Sequence, residues 1–256
     1  MNTATIAVDA PMLNRTFMSV RMPQEKRVSQ VKPQCSSCNL REVCLPSGMQ
    51  GSAELDELSF TRKQIRRGEA LYLAGEDFRS LYAIRTGSFK SRMVLEDGRD
   101  QLSGFHLPAE VLGMDGIGGE RHVADTIALE DSEVCIIPYA RLEQPDLRRQ
   151  LHRVMSRELV RDQGVMMLLG TMRAEERLAV FLLNLSQRFF ARGYSPVEFH
   201  LRMTREEIGS YLGLTLETVS RLFSRFQADG HIFVQQKHIR IKDLRALKSV
   251  LNREAA

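Results

Sequence analysis

From about Ser59 to Pro138 the chain runs in short stretches rich in β-branched and aromatic residues, each ended by a turn signal. The predicted strands are Leu71–Leu73, Leu81–Arg85, Ser88–Val94, Leu102–His106, Asp125–Leu129 and Glu133–Ile137. Between them lie Gly68-Glu69, Gly75-Glu76-Asp77, Thr86-Gly87, Asp97-Gly98 and a glycine-rich run over 113–119. Strands spaced by about 8 to 12 residues point to a sandwich or double-sheet jelly roll.

Past Pro145 the period becomes helical. His152, Met155, Leu159, Asp162, Met166 and Leu169 recur in steps of three and four, the spacing of a coiled-coil seam. Beside them Leu151, Val154, Val165 and Leu168 form a second apolar set, expected to pack on the β domain. A helix with two apolar faces needs two partners, and the simplest second partner is its symmetry mate in a homodimer. A single core helix is the alternative. A further helix is predicted over Ala174–Ala191, with Leu178, Phe181, Leu182, Leu185 and Phe189 on one face and Gly193 at its end.

Thr204-Arg-Glu-Glu207 has the form of a capping box opening a helix that carries Ile208, Gly209 and Leu212 and stops at Gly213. Thr215 then caps a helix over Leu216–Ala228, with Val219, Leu222, Phe223 and Phe226 inward and Gly230 closing it. Two short helices joined by a glycine-containing turn make a helix-turn-helix. That assignment turns Thr215, Glu217, Thr218, Ser220, Arg221 and Ser224 outward, a set suited to base edges. Ile232–Val234 and Ile239–Ile241 read as a β-hairpin wing whose tip, Lys237 included, would lie near phosphate.

Charge strengthens this reading. Residues 173–256 carry 14 Lys and Arg against 9 Asp and Glu, whereas the first 172 carry 22 against 23. The positive excess is confined to the last third, which suggests a polyanionic partner there. With 43% hydrophobic and 27% charged residues the chain can build ordinary cores. Its longest apolar runs, such as Leu178–Leu183, fall far short of the ~20 residues a membrane-spanning helix needs. No apolar signal-peptide core lies in the first thirty residues, so a cytoplasmic protein without a membrane partner is expected. Residues 1–34, with Pro11, Pro23 and Pro33, read as a flexible extension.

Four cysteines remain. Cys35, Cys38 and Cys44 lie within ten residues, and Cys135 stands at the end of a predicted strand. Three close thiols and a remote one can hold a cubane iron-sulfur cluster. A structural zinc site, a thiol redox switch and no ligation stay open on spacing alone. His106, His122 and His152 stand at no ligand spacing and read as surface or core polarity. No Ser/His/Asp set or phosphate loop appears, so an enzyme is not expected.

The segment Cys35-Ser-Ser-Cys-Asn-Leu-Arg-Glu-Val-Cys44, Leu81–Gly87, Gly104–Leu107, Ala174–Ala179 and Tyr211–Thr215 together resemble the CRP/FNR superfamily of bacterial transcription regulators. The likeness is to its oxygen-sensing branch, the fumarate and nitrate reductase regulators (FNR), and covers nearly the whole chain. It implies an α+β architecture: a β-roll (jelly-roll) sensor domain, a long dimerisation helix and a C-terminal winged helix-turn-helix. The corresponding divisions are 1–34, a cysteine segment 35–50, the β-roll 51–144, the helix 145–170 and the DNA-binding domain 171–256. The resemblance also implies a [4Fe-4S] cluster on Cys35, Cys38, Cys44 and Cys135 that promotes dimerisation and DNA binding without oxygen. Glu217, Ser220 and Arg221 would read double-stranded DNA at an inverted repeat close to TTGAT-N4-ATCAA. The turn Glu96–Arg99, with Asp97 and Gly98 at its centre, would touch RNA polymerase.

Departures from the pattern matter. Asn39 follows Cys38 where the best-known members carry serine, so an oxygen threshold does not carry over. Cyclic-nucleotide-binding relatives hold ribose and phosphate with a Gly-Glu pair and an Arg followed by Ser or Thr. Here Gly113 precedes Met114, and Arg121 precedes His122. A nucleotide-responsive regulator and a zinc-stabilised DNA-binding protein are the alternatives. Asp162 lies on the seam with Met155, Leu159 and Met166, where symmetry would bring two carboxylates together and hold the dimer near its threshold. Pairing of an exposed Asp162 with Arg161 or Arg157 is the simpler alternative.

Overall fold

The computed structural model describes residues 28–29, 35, 38–45, 61–94 and 97–252. The expected flexible extension lies outside them except at Val28–Ser29, which form a short strand, β1. Glu96 of the expected polymerase turn, and positions 36–37 and 46–50 of the cysteine segment, also lie outside the described residues.

Eight more strands build the N-terminal domain: β2 (Thr61–Ile65), β3 (Ala70–Tyr72), β4 (Ser80–Thr86), β5 (Phe89–Val94), β6 (Asp100–His106), β7 (Val111–Leu112), β8 (Asp125–Ala128) and β9 (Ser132–Pro138). They form two antiparallel sheets, ordered β1-β2-β9-β4-β7 and β3-β8-β5-β6. Residues such as Leu71, Ile84, Phe89, Ala128 and Val134 fill the space between the sheets. Burial of these apolar faces is the main stabilising term for such a roll. The polar β2 (TRKQI) and the two-residue β7 were not expected from the sequence. The glycine-rich run contains a 3-10 turn at Met114–Gly116.

Helix α1 spans Pro145–Thr171, 27 residues or about 40 Å. Its N-terminal Leu147 and Leu151 are buried against Leu81, Val111 and Ile137 of the roll, with Val154 at the margin. Leu168 does not join them. It lies in a second core with Leu178, Leu182 and Leu212, which corrects the expectation that the whole inner stripe packs on the β domain. The helix is simply long enough to reach from one domain core to the other.

The C-terminal domain comprises α2 (Ala174–Phe190), β10 (Glu198–His200), α3 (Arg205–Leu212), α4 (Leu216–Ala228), β11 (Ile232–Gln235), β12 (His238–Ile241) and α5 (Leu244–Ser249). The wing is three-stranded, β10-β12-β11, because β10 pairs with β12. Leu178, Leu182, Leu185, Ile208, Val219, Phe223 and Phe226 form its core, continuous with Leu102, Phe105 and Leu129 of the roll. Arg177 fixes the junction: its guanidinium donates to the carbonyls of Leu169 (2.8 Å), Met172 (2.9 Å) and Leu212 (3.1 Å). One side chain thus satisfies the open carbonyl ends of α1 and α3.

Candidate functional site

The cysteine segment is a run of tight turns. The Cys38 amide donates to the Cys35 carbonyl at 3.2 Å and the Cys44 amide to the Leu40 carbonyl at 2.9 Å. Leu45 anchors this run; it is 1% exposed and lies in the same core as Leu147 and Leu151 of α1. Cys135 sits on the central strand β9, opposite Arg62 of β2 and Ala83 of β4. Cys35, Cys44 and Cys135 border that one core, and all four residues are thiols. They also feel one another. Burial pushes the Cys44 thiol up to about 12 and the Cys135 thiol to about 11, with the neighbouring cysteines adding to the rise. Ligation by any metal there must therefore displace protons.

Among the described residues no three His, Cys, Asp or Glu side chains are gathered tightly enough to hold one metal ion. A single zinc ion needs its thiolates at about 2.3 Å. A cubane holds four thiolates further apart, each on its own iron. Thiolates are donors to either group, and Cys35, Cys44 and Cys135 bring three of them to one apolar core.

The helix-turn-helix forms as its sequence dictates. Thr204 Oγ1 accepts from the Glu207 amide at 3.1 Å, and the Glu207 carboxylate accepts from the Thr204 amide at 2.6 Å. Gly213 closes α3 at φ 63°, a left-handed conformation that favours glycine. At Gly209 a Cβ would stand 2.5 Å from the Leu214 carbonyl oxygen, so only glycine lets the turn pass this close. Thr215 Oγ1 accepts from the Thr218 amide at 3.2 Å to start α4. Val219, Leu222, Phe223 and Phe226 are buried, leaving Glu217, Ser220, Arg221 and Ser224 exposed on one face. Glu217 is held below the usual carboxylate range by the helix-start amide, the Thr215 hydroxyl and then the Arg221 guanidinium one turn on. Lys237 lies at the wing tip, its Nζ donating to the Arg202 carbonyl at 3.0 Å.

Comparison with known proteins bears on both features. The Crp-like helix-turn-helix domain family matches residues 176–250 and the cyclic nucleotide-binding domain family residues 62–145. The chain is 48% identical over 228 residues to the transcriptional regulatory protein btr of Bordetella pertussis, covering 86% of this chain and 94% of that protein. It is 44% identical over 220 residues to the fumarate and nitrate reduction regulatory protein of Escherichia coli K12, covering 83% and 88%. The chain belongs to the CRP/FNR family. Among solved structures, FixK2 of Bradyrhizobium japonicum superposes with a TM-score of 0.70 at 33% identity, over 78% of this chain and all of that one. As a CRP/FNR member the protein is a DNA-binding transcription regulator rather than an enzyme. No helix among the described residues is long and apolar enough to cross a membrane.

CRP/FNR proteins share the roll, and its interior here is closely filled. His122 stacks on Tyr72 with ring centroids 3.7 Å apart, and Phe78 meets His122 edge-on. Asp115, two residues past Gly113, accepts from the amides of Val123 (2.8 Å) and Ala124 (3.1 Å). Arg121 lies outside, donating to the Gly75 carbonyl at 3.0 Å beside Asp77. His106 is largely covered beside Glu110, whereas His152 is exposed.

On α1 the outer face is exposed: Met155 (38%), Leu159 (60%) and Met166 (65%), with Asp162 between the last two. Arg161 is turned inward, to Glu158 and Glu110. The turn at Asp97-Gly98 is exposed, with Gly98 at φ 84° and Asp97 accepting from the Arg99 amide and side chain. Sequence reasoning missed two residues that hold these parts together. One is the Leu45 anchor beside Cys44, signalled only by an apolar residue after the last cysteine. The other is Glu110, which no local pattern marks.

Proposed function

We propose that this regulator responds to oxygen through a [4Fe-4S] cluster on Cys35, Cys38, Cys44 and Cys135. The observation that carries the reading is Leu45, which seats the cysteine segment in the core that also holds Leu147 and Leu151 of α1. Order in that segment is thereby coupled to the first turns of the helix whose outer face is apolar and open. The naming of a 44%-identical relative as a fumarate and nitrate reduction regulatory protein supports it. When bound, the cluster supplies an oxygen-labile tie between the cysteine segment and β9. The closely packed roll interior and Met114 in place of the ribose-binding glutamate favour this over nucleotide binding.

The exposed seam of Met155, Leu159 and Met166 then pairs with a second copy, and Asp162 keeps the pairing weak enough for the segment's order to decide it. The dimer presents two α4 helices to an inverted repeat close to TTGAT-N4-ATCAA. Arg221 donates to guanine O6 and N7, Glu217 accepts from a cytosine while aiming Arg221, and Ser220 lies beside them. Asp97 and Gly98 contact RNA polymerase, and the protein works in the cytoplasm.

The test is anaerobic purification with iron, sulfide and absorption analysis. A brown protein with about four irons per chain is expected. Changing any one of the four cysteines to serine should remove most of that iron. A colourless, zinc-loaded protein would overturn the reading.

A further inference from the structure

Between the roll and α2, behind the wing, lies a cavity of about 330 Å³ used by neither the thiols nor the DNA face. One part of its wall is apolar, with Leu107 and Leu129 from the roll, Leu185 from α2 and Phe199 from β10, while Ser88, His106, Glu130 and Glu198 also line it. A space of this size is within the range of small-ligand pockets, and apolar walls hold water poorly.

Its rim carries one guanidinium, Arg202, alongside the carboxylates Glu130 and Glu198. His200, Leu201 and Arg202 line this cavity and also an open cleft of about 530 Å³ bounded by Lys237 and His238. The segment 200–202 thus lies between the cavity and a cleft that carries Lys237. The Arg202 guanidinium is half exposed and its Nε lies 3.0 Å from a Glu130 oxygen. That surface pair engages Nε and is weak, so a ligand carboxylate would share the guanidinium with Glu130. Glu198, the other acid at this rim, is engaged by His238 (2.9 Å) and Arg240 (3.2 Å).

We propose that this interdomain cavity binds a small amphipathic anion, a medium-chain carboxylate. Its apolar chain lies among Leu107, Leu129, Leu185 and Phe199, and its carboxylate takes Arg202. A ligand seated there touches both domains, so its binding favours the arrangement in which they are docked. The site is a signal input separate from the cysteines, and its test does not depend on a cluster or on DNA.

The chain has no tryptophan, so Tyr194→Trp at the rim gives a single reporter in the full-length protein. Octanoate should shift its emission saturably, and octanol should bind about tenfold more weakly, as loss of one charge-assisted contact implies. Arg202→Gln in the same background should bring octanoate down to the level of octanol and leave octanol unchanged. Octanoate should also raise the melting temperature of the unmodified protein, a readout that stands even if the reporter variant misfolds. The proposal is overturned if octanoate neither shifts the reporter saturably nor raises the melting temperature. It is equally overturned if octanol binds as well as octanoate, or if Arg202→Gln changes nothing.

Discussion

Arg188 of α2 grips Glu110 of the roll with two nitrogens, Nε 3.0 Å from one carboxylate oxygen and Nη2 2.7 Å from the other. Arg192 adds a contact at 2.6 Å and Arg161 of α1 one at 3.3 Å. One buried carboxylate therefore ties the roll to both long helices. Burial alone would raise its pKa, but Arg188, Arg161 and Arg192 together hold it at about 2. Breaking a buried pair strands charge. Glu110→Gln should cost about 3 to 5 kcal/mol in denaturant unfolding. A loss under about 1 kcal/mol would mean that solvent reaches the arginines more freely than their burial indicates.

The same region sets an acid limb. Burial, then Arg161, hold the His106 imidazole at about 3 rather than its ordinary 6.5. The unfolded chain takes up this proton below 6.5 and the folded one refuses it until about 3, so stability falls across that window as pH drops. Glu110 has the opposite chemistry but the same slope: its contribution is full above 4.5 and lost as pH falls toward about 2. In cluster-free protein, His106→Phe should move the start of the acid limb from about pH 6.5 to about 4.5, read by melting at stepped pH. An unmoved onset would show that His106 is protonated in the folded state.

On DNA, Arg221→Ala should cost about 1 to 3 kcal/mol per half-site and relax the preference at one guanine, while a change at Lys237 should weaken all sequences alike. Binding titrations on specific and random duplexes separate the two. Equal losses on both duplexes for Arg221→Ala would remove its reading role.

Asp162→Ala should yield a protein that dimerises and binds DNA in air, with or without a cluster. Sedimentation in air checks this. A stable wild-type dimer in air, or a variant with the wild-type monomer fraction, counts against the role of Asp162.

Gly209→Ala should destabilise the C-terminal domain by about 1 to 3 kcal/mol, because the new methyl meets backbone at the Leu214 carbonyl rather than a movable side chain. Loss of DNA binding should accompany it. A variant with wild-type melting and affinity would mean that the turn relaxes without cost.

The helix-turn-helix was legible because its determinants are local: Thr204 and Glu207 stand three residues apart, Thr215 begins the next helix, and Gly213 ends the first. Most strands of the roll were legible from their turns. β2 was not, since Thr-Arg-Lys-Gln-Ile offers one buried apolar residue and takes its place by pairing with β9. The cysteines were legible as a set, whereas Leu45 as their anchor depends on partners about a hundred residues away in α1. Contacts between domains left no trace in the pattern; Lys90 and Glu207 meet across 117 residues.

That last contact has a mechanical corollary. One oxygen of Glu207 receives the Thr204 amide and the other receives Lys90 Nζ, each at 2.6 Å. The carboxylate that starts α3 is thus also one of the ties between the DNA-binding domain and the roll, here to Lys90 of β5. Removing it to loosen the joint frays the first turn of the helix on which α4 rests, confounding a hinge effect with a folding effect. The two part only when the change is made at Lys90, which removes this one tie, leaves the helix its cap, and keeps the Glu110 contacts and the shared core in place.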